Sequence, residues 1–195
     1  TTDKLLLAAA TGRFYTLAAD RLPGGRGFGE PVKLMVDLEG DGDIVALFPA
    51  SAANKLLLAT SDGRGFVTSA AGAIAETRKG KQVVNVRAGA RLAVVRPVGP
   101  ADDFVAAIGD NRKLVVFNLE ELPVMTRGQG VQLQRYRDGG MSDATTFVLA
   151  DGLSWQMGGS GERTRTETEI RMWKVARGAA GRMPPQGFPK NNRFD

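Results

Sequence analysis

An apolar run that breaks at a polar turn and then resumes occurs four times in this chain of 195 residues. KLLLAAATGRFYTL spans Lys4–Leu17 and turns at Thr11-Gly12. KLLLATSDGRGFVTS spans Lys55–Ser69, with Asp62-Gly63 as a type I′ turn candidate. FVAAIGDNRKLVVFNL spans Phe104–Leu119 and turns at Asp110-Asn111. TTFVLADGLSWQM, Thr145–Met157, reads as the fourth copy, with Asp151-Gly152 at its turn. Leu5 to Leu56 is 51 residues, Leu56 to Ala106 is 50, and Ala106 to Val148 is 42. A hairpin repeated at that interval, with further strands between copies, is the pattern of propeller-like architecture. No long amphipathic helical stripe competes with it. Leu119–Leu122 and Thr166–Val175 alone have room for a short helix. The second also alternates, Glu167, Glu169 and Arg171 against Thr168, Ile170 and Met172, and reads better as a strand.

Each hairpin is followed by a segment rich in glycine and basic residues: Leu22–Val36, Thr77–Val86, Met125–Tyr136 and Ala176–Phe188. Three of these share an Arg-Gly core, at Arg78-Lys79-Gly80, Arg127-Gly128 and Arg177-Gly178. A strand and a polar turn follow in the first three. The expected unit is therefore strand, turn, strand, basic loop, strand, turn, strand. Units over 4–54, 55–103, 104–144 and 145–195 make a single domain with no linker. Gly accounts for 25 residues, and that abundance without a collagen period means many tight turns.

Composition removes much chemistry. With no Cys and no His, the chain holds no disulfide, no thiolate or imidazole zinc site, no Ser-His-Asp triad and no cysteine nucleophile. Asp37–Asp43 opens like a calcium loop, but Phe48 stands where a bidentate Glu is needed. Gly24–Gly29 lacks the dinucleotide-binding spacing, and Gly80-Lys81 lacks the remaining residues of a P-loop. No apolar run approaches the length of a membrane span and no secretory signal opens the chain, so a cytoplasmic location is expected. Phe14, Tyr15, Phe66, Phe117, Phe147 and Trp155 lie in or beside the hairpins and read as core. Only Phe28 and Tyr136 lie close to the basic loops, which favours contact with a duplex backbone over base stacking.

The net charge is +5, distributed as −2, +6, −2 and +3 over residues 1–50, 51–100, 101–150 and 151–195. Gly lets a backbone approach a phosphate closely, and neighbouring Arg and Lys neutralise it. A lone basic glycine loop is usually only a turn. Four of them at matching places in a repeat form one rim, and that is an electrostatic footprint for nucleic acid. The competing readings are a protein-interaction propeller with ordinary turns, and a carbohydrate-active propeller with paired buried carboxylates.

RFYTLAADRLPGGRGFGEPVKLM (Arg13–Met35) and PPQGFPKNNRF (Pro184–Phe194) resemble the C-terminal domains of bacterial type IIA topoisomerase A subunits, in particular the topoisomerase IV (ParC) branch. The resemblance covers nearly the whole chain, and Arg13–Met35 is its most specific part. It implies a β-pinwheel of four-stranded blades that exchange a strand between neighbours, with about four to five blades in a closed disc or an open C-shape. It also implies double-stranded DNA along the outer rim. The contacts carried over are Arg26 and Lys33, then Arg78, Lys79, Lys81 and Arg87, then Arg127 and Arg135, then Arg177 and Arg182. Arg64 and Arg112–Lys113, at hairpin turns, are further candidates. The gyrase box Q-R-R-G-G-K-G is absent, and Gly24-Gly25-Arg26-Gly27 is its nearest echo, so bending or tethering is expected rather than full wrapping. The family's cleaving tyrosine and metal-binding carboxylates belong to an upstream core, and Tyr15 and Tyr136 are not counterparts of that nucleophile. The resemblance thus implies a non-catalytic piece of a longer chain that binds no cofactor itself. ATP and Mg²⁺ would act elsewhere, in an assembly with the remainder of ParC and the ATPase subunit (ParE), in the bacterial cytoplasm at the nucleoid.

Overall fold

The computed structural model describes residues 3–21, 35–38, 43–158 and 163–195. Within them the chain is all β apart from single turns of 3-10 helix. The strands are β1 (Lys4–Ala9), β2 (Arg13–Ala18), β3 (Ile44–Pro49), β4 (Lys55–Thr60), β5 (Arg64–Ser69), β6 (Lys81–Gln82), β7 (Leu92–Val98), β8 (Phe104–Gly109), β9 (Leu114–Asn118), β10 (Val131–Gln132), β11 (Met141–Phe147), β12 (Leu153–Met157) and β13 (Arg163–Glu167). They form antiparallel sheets ordered β3-β1-β2-β6, β10-β5-β4-β7, β11-β8-β9 and β12-β13.

Apolar packing between successive sheets explains why the hairpin strands read as unbroken hydrophobic runs. Leu6, Ala8 and Phe14 meet Leu56, Leu58 and Phe66, while Leu7, Ala9, Tyr15 and Leu17 pack on the other side with Val36. Leu57, Ala59 and Val67 meet Val105, Ala107 and Val115. Ala106, Ile108 and Val116 meet Leu153, Trp155 and Trp173. A strand covered on both faces cannot alternate polar and apolar residues. Each large side chain fully buried there contributes about 1.5–3 kcal/mol of transfer free energy.

The Asp62-Gly63 turn differs from the expected type I′, and the Thr11-Gly12 turn is built in the same way. Gly12 and Gly63 have φ of +86° and +84°, and their amides donate to the carbonyls of Ala9 and Thr60 at 2.9 Å. Asp62 is not in the left-handed region, so these are three-residue turns closed by a left-handed glycine. In the third hairpin Arg112 takes that place at φ +63°. Its guanidinium donates to the Pro189 carbonyl and to Asn192 Oδ1, both at 2.9 Å.

The fourth hairpin is the main correction. Thr145–Phe147 belong to β11, which pairs with β8 and returns the chain to the third sheet. Asp151 ends a 3-10 turn over Leu149–Asp151, so Asp151-Gly152 precedes the hairpin. The hairpin itself is β12–β13. Hairpins therefore start at Lys4, Lys55, Phe104 and Leu153, spaced 51, 49 and 49 residues. The apparent shortening of the last interval came from reading a returning strand as an outgoing one, since both are short apolar runs next to a glycine. The Thr166–Val175 strand likewise ends at Glu167, and Arg171–Trp173 is a 3-10 turn. The short helix allowed at Leu119–Leu122 is a 3-10 turn over Leu119–Glu121, capped by the Asn118 side chain.

The run of sheets is open. Among the described residues no strand pairing joins β12 or β13 to the first sheet. Leu153 and Trp155 of β12 face the third sheet, so Ser154 and Gln156 face away and are exposed. There they bond to Thr166 at 2.6 Å and to Thr164 at 3.3 Å. The C-terminal segment completes the last core: Phe188 lies 5.2 Å from the Trp155 ring, and the Gln156 amide donates to the Phe194 carbonyl at 2.8 Å.

Candidate nucleic-acid interface

The outer edge of each of the first three sheets is formed by residues of the next unit. β6 pairs with β2, matching Phe14 with Lys81. β10 pairs with β5, matching Gly65 with Val131. Arg182 bridges to Leu114 on β9. Immediately before each exchanged residue stands a glycine in the left-handed region: Gly80 at +74°, Gly130 at +74° and Gly181 at +91°. A Cβ on these glycines would overlap the carbonyl oxygens of Phe14, Gly65 and Leu114 respectively. The glycines of the basic loops are therefore required by strand exchange itself. Gly130→Ala combines that overlap with positive φ and is expected to destabilise the chain by about 2–4 kcal/mol, read as a lowered melting temperature. Gly89→Ala, also at positive φ but with open space around it, is expected to cost only about 1 kcal/mol.

This register also corrects the Arg-Gly cores. Gly80 is equivalent to Gly130 and Gly181, not to Gly128 and Gly178. Gly128 and Gly178 serve a second contact, donating to the carbonyls of Val83 and Leu133 at 3.1 and 2.9 Å. Successive loops are joined in the same manner, from the Asp37 amide to Arg78, from Asn85 to Gly128 and from Arg135 to Ala179. The loops thus form a ladder, in which each exchanged loop sits on the sheet of the preceding unit.

On this ladder of loops Arg78, Lys79, Lys81, Arg127 and Arg182 are exposed. The side chains of Lys79 and Arg182 make no hydrogen bond or ion pair among the described residues. Lys81 Nζ donates to the Gly72 carbonyl at 2.6 Å, and Arg127 Nε donates to Asn85 Oδ1 at 3.2 Å. Arg78 lies 3.9 Å from Asp37, an exposed pair that leaves both groups hydrated. At the middle exchange Gln129, Val131 and Gln132 stand where the first has Lys79, Lys81 and Gln82, so the rim is most basic at its first and third junctions.

Other candidates stand elsewhere. Arg64 is half-buried and donates to the Gly130 carbonyl at 2.9 Å, and its Nε is buried without a partner. It clamps the incoming strand. Arg13, which no sequence feature had singled out for the rim, does the same for the carbonyls of Lys79 and Gly80. The signal that marks both clamps is the repeated Gly-Arg at Gly12-Arg13 and Gly63-Arg64. Arg177 is half-buried and donates to the Gln132 carbonyl at 2.8 Å. Arg87 lies apart from the exchanged strands, in a shallow depression with Ser61, Asp62, Arg91 and Asp110. Arg135 is exposed, next to Tyr136. Lys113 is exposed at its turn. Arg26, Lys33, Phe28 and the Gly24–Gly29 run lie outside the described residues, as does part of Asp37–Asp43.

Among the described residues no group of three or more carboxylates gathers to hold a metal. Asp143 is the one buried carboxylate there, and it is paired with Arg96 rather than with a second carboxylate. Burial, then Asp110 and Asp62, push the Tyr136 phenol well above its ordinary pKa. Its ring is wedged between Gly63 and Gly109 of two hairpin turns, where it spaces the sheets.

Repeated antiparallel sheets whose outer strands come from the next unit define a propeller-type β-pinwheel. A family model described as DNA gyrase C-terminal domain, beta-propeller, matches residues 54–98 and 103–141. Over 194 residues the chain is 44% identical to the A subunit of DNA topoisomerase 4 from Rickettsia bellii, covering 100% of this chain and 26% of that protein. It is 43% identical to the protein of the same name from Caulobacter vibrioides, covering 100% of this chain and 25% of that one. The fold is similar to the E. coli ParC C-terminal domain, with TM-score 0.81 and 22% identity over 96% of this chain and 78% of that one. The chain is similar over its whole length to topoisomerase 4 A subunits and in fold to a ParC C-terminal domain, and it spans about a quarter of the length of the curated relatives it matches.

Proposed function

We propose that this domain binds duplex DNA independently of sequence along the outer edges of its sheets, and bends it. The observation that carries this reading is strand exchange. It brings Arg78, Lys79 and Lys81 to the outer edge of the first sheet, and Arg182 to that of the third, with Arg127 between them. Contacts of this kind neutralise phosphates and fix orientation without reading bases. Bending a site of two to three helical turns costs on the order of 1–6 kcal/mol, offset by contacts made along the curve. Within a topoisomerase IV the domain would position a DNA segment for decatenation and supercoil relaxation. It would work with the rest of the ParC chain and with ParE, the ATPase component, at the nucleoid in the cytoplasm. Strand cleavage, ATP and Mg²⁺ would belong to other parts of that assembly.

The test is equilibrium binding across a salt series with linear duplexes, short ones and ones long enough to span several sheets. Steep salt dependence and tighter binding of the longer duplex are expected. Weak, length-independent binding would favour the protein-interaction reading and leave the exchange loops as architecture.

A further inference from the structure

We propose that the outer edge of β13 is a further DNA-backbone contact, made by Arg163 and Arg165 with backbone amides of the strand that no described residue pairs. The inference rests on the rim reading above and extends it to the last sheet. Because each basic loop serves the sheet before its own, Arg177 and Arg182 belong to the rim of the third sheet. No exchange loop among the described residues serves the fourth. The outer edges of β2, β5 and β9 are paired, whereas among the described residues nothing pairs with the far edge of β13.

That edge has the chemistry of a phosphate contact. Arg163 to Thr166 are all exposed. An open strand edge presents alternate N–H groups outward, donors that the paired edges no longer offer. Arg163 and Arg165 are two residues apart and share a face. The Arg165 guanidinium lies 6.0 Å from the Trp155 ring centroid and beside Gly187, where any larger residue would displace it. Thr164 and Thr166 are fixed on the opposite face by Gln156 and Ser154. Glu167, at the end of the strand, turns its carboxylate back onto the Glu169 amide at 3.0 Å. Charged residues on the edge also oppose pairing with a second strand, which leaves it open to a polyanion.

The experiment measures binding of a duplex of about 40 base pairs to the chain across a salt series, for R163Q/R165Q, R163K/R165K and the rim pair K79Q/K81Q. R163Q/R165Q is expected to lose about tenfold in affinity near 0.1 M salt and to flatten the log–log salt slope by about two. R163K/R165K is expected to retain the slope. If R163Q/R165Q binds like the parent while K79Q/K81Q weakens, the β13 contact is overturned and the rim reading stands. If neither pair matters, the rim reading fails and takes this contact with it. If Lys does not restore what Gln removes, or the melting temperature falls with affinity, the loss is structural and the contact is likewise overturned.

Discussion

Reversing the charge of Arg78, Lys79 and Lys81 to Glu is expected to cut affinity for a long duplex by about a hundredfold or more at moderate salt. It is also expected to flatten the salt slope by about 0.9 for each phosphate no longer neutralised. The three residues are exposed at one exchange, where Lys81 donates to the Gly72 carbonyl and Arg78 faces Asp37, so the fold loses surface contacts and no core packing. Gly80, which the exchange does require, is untouched. The exposed Arg78–Asp37 pair is worth about 0–1 kcal/mol and the Lys81 contact to the Gly72 carbonyl is a surface hydrogen bond, so the melting temperature is expected to fall far less than the affinity. Arg64→Gln supplies the contrast. It removes a half-buried clamp on the Gly130 carbonyl and is expected to lower stability while leaving the slope as it was. An unchanged slope in the triple variant would remove the rim from the interface.

Much of this was legible in the sequence, and the reasons differ by element. The first three hairpins are readable because strands buried on both faces become continuous apolar runs separated by a polar, glycine-bearing turn. Strand exchange is not readable from spacing: β6 and β10 are two-residue strands, and their partners lie 66 to 69 residues away. It entered only through the family resemblance. The fourth hairpin was misread because β11 and β12 are both short and apolar, with Gly152 between them, and only pairing distinguishes a strand that returns from one that departs. At the interface the basic loops were visible as composition, but their roles were not. Arg64 and Arg177 look like the other rim arginines until their hydrogen bonds to carbonyls of neighbouring loops are seen. Arg163 and Arg165 carried no loop signal at all, because they lie on a strand and not in a basic glycine loop.

Asp143→Ala is expected to be among the most destabilising single substitutions in the chain, at about 3–5 kcal/mol, read by thermal or denaturant unfolding. Asp143 is 2% exposed and sits on β11, yet it is fully engaged. Arg96 on β7 approaches it with one nitrogen at 3.1 and 2.9 Å from its two oxygens. The amides of Ala144 and Phe194 donate to it at 2.9 and 2.8 Å. One carboxylate thus ties the second sheet, the third sheet and the C-terminal segment that completes the fourth. Burial works against the Arg96 charge, but Asp143, by charge and hydrogen bond, and then Asp195 outweigh it and raise its pKa above the usual arginine value. Removing Asp143 leaves Arg96 with only Asp195, whose side chain is 58% exposed at 3.1 Å, and leaves two amides without an acceptor. Asp143→Asn keeps an acceptor for one amide and is expected to lose less. Replacing Asp143 and Arg96 together with Leu is expected to recover most of the loss, because a buried charge without its partner costs more than an apolar pair of similar volume. A double variant as unstable as Asp143→Ala would mean that the amide contacts to the C-terminal segment, rather than the ion pair, hold the sheets together here.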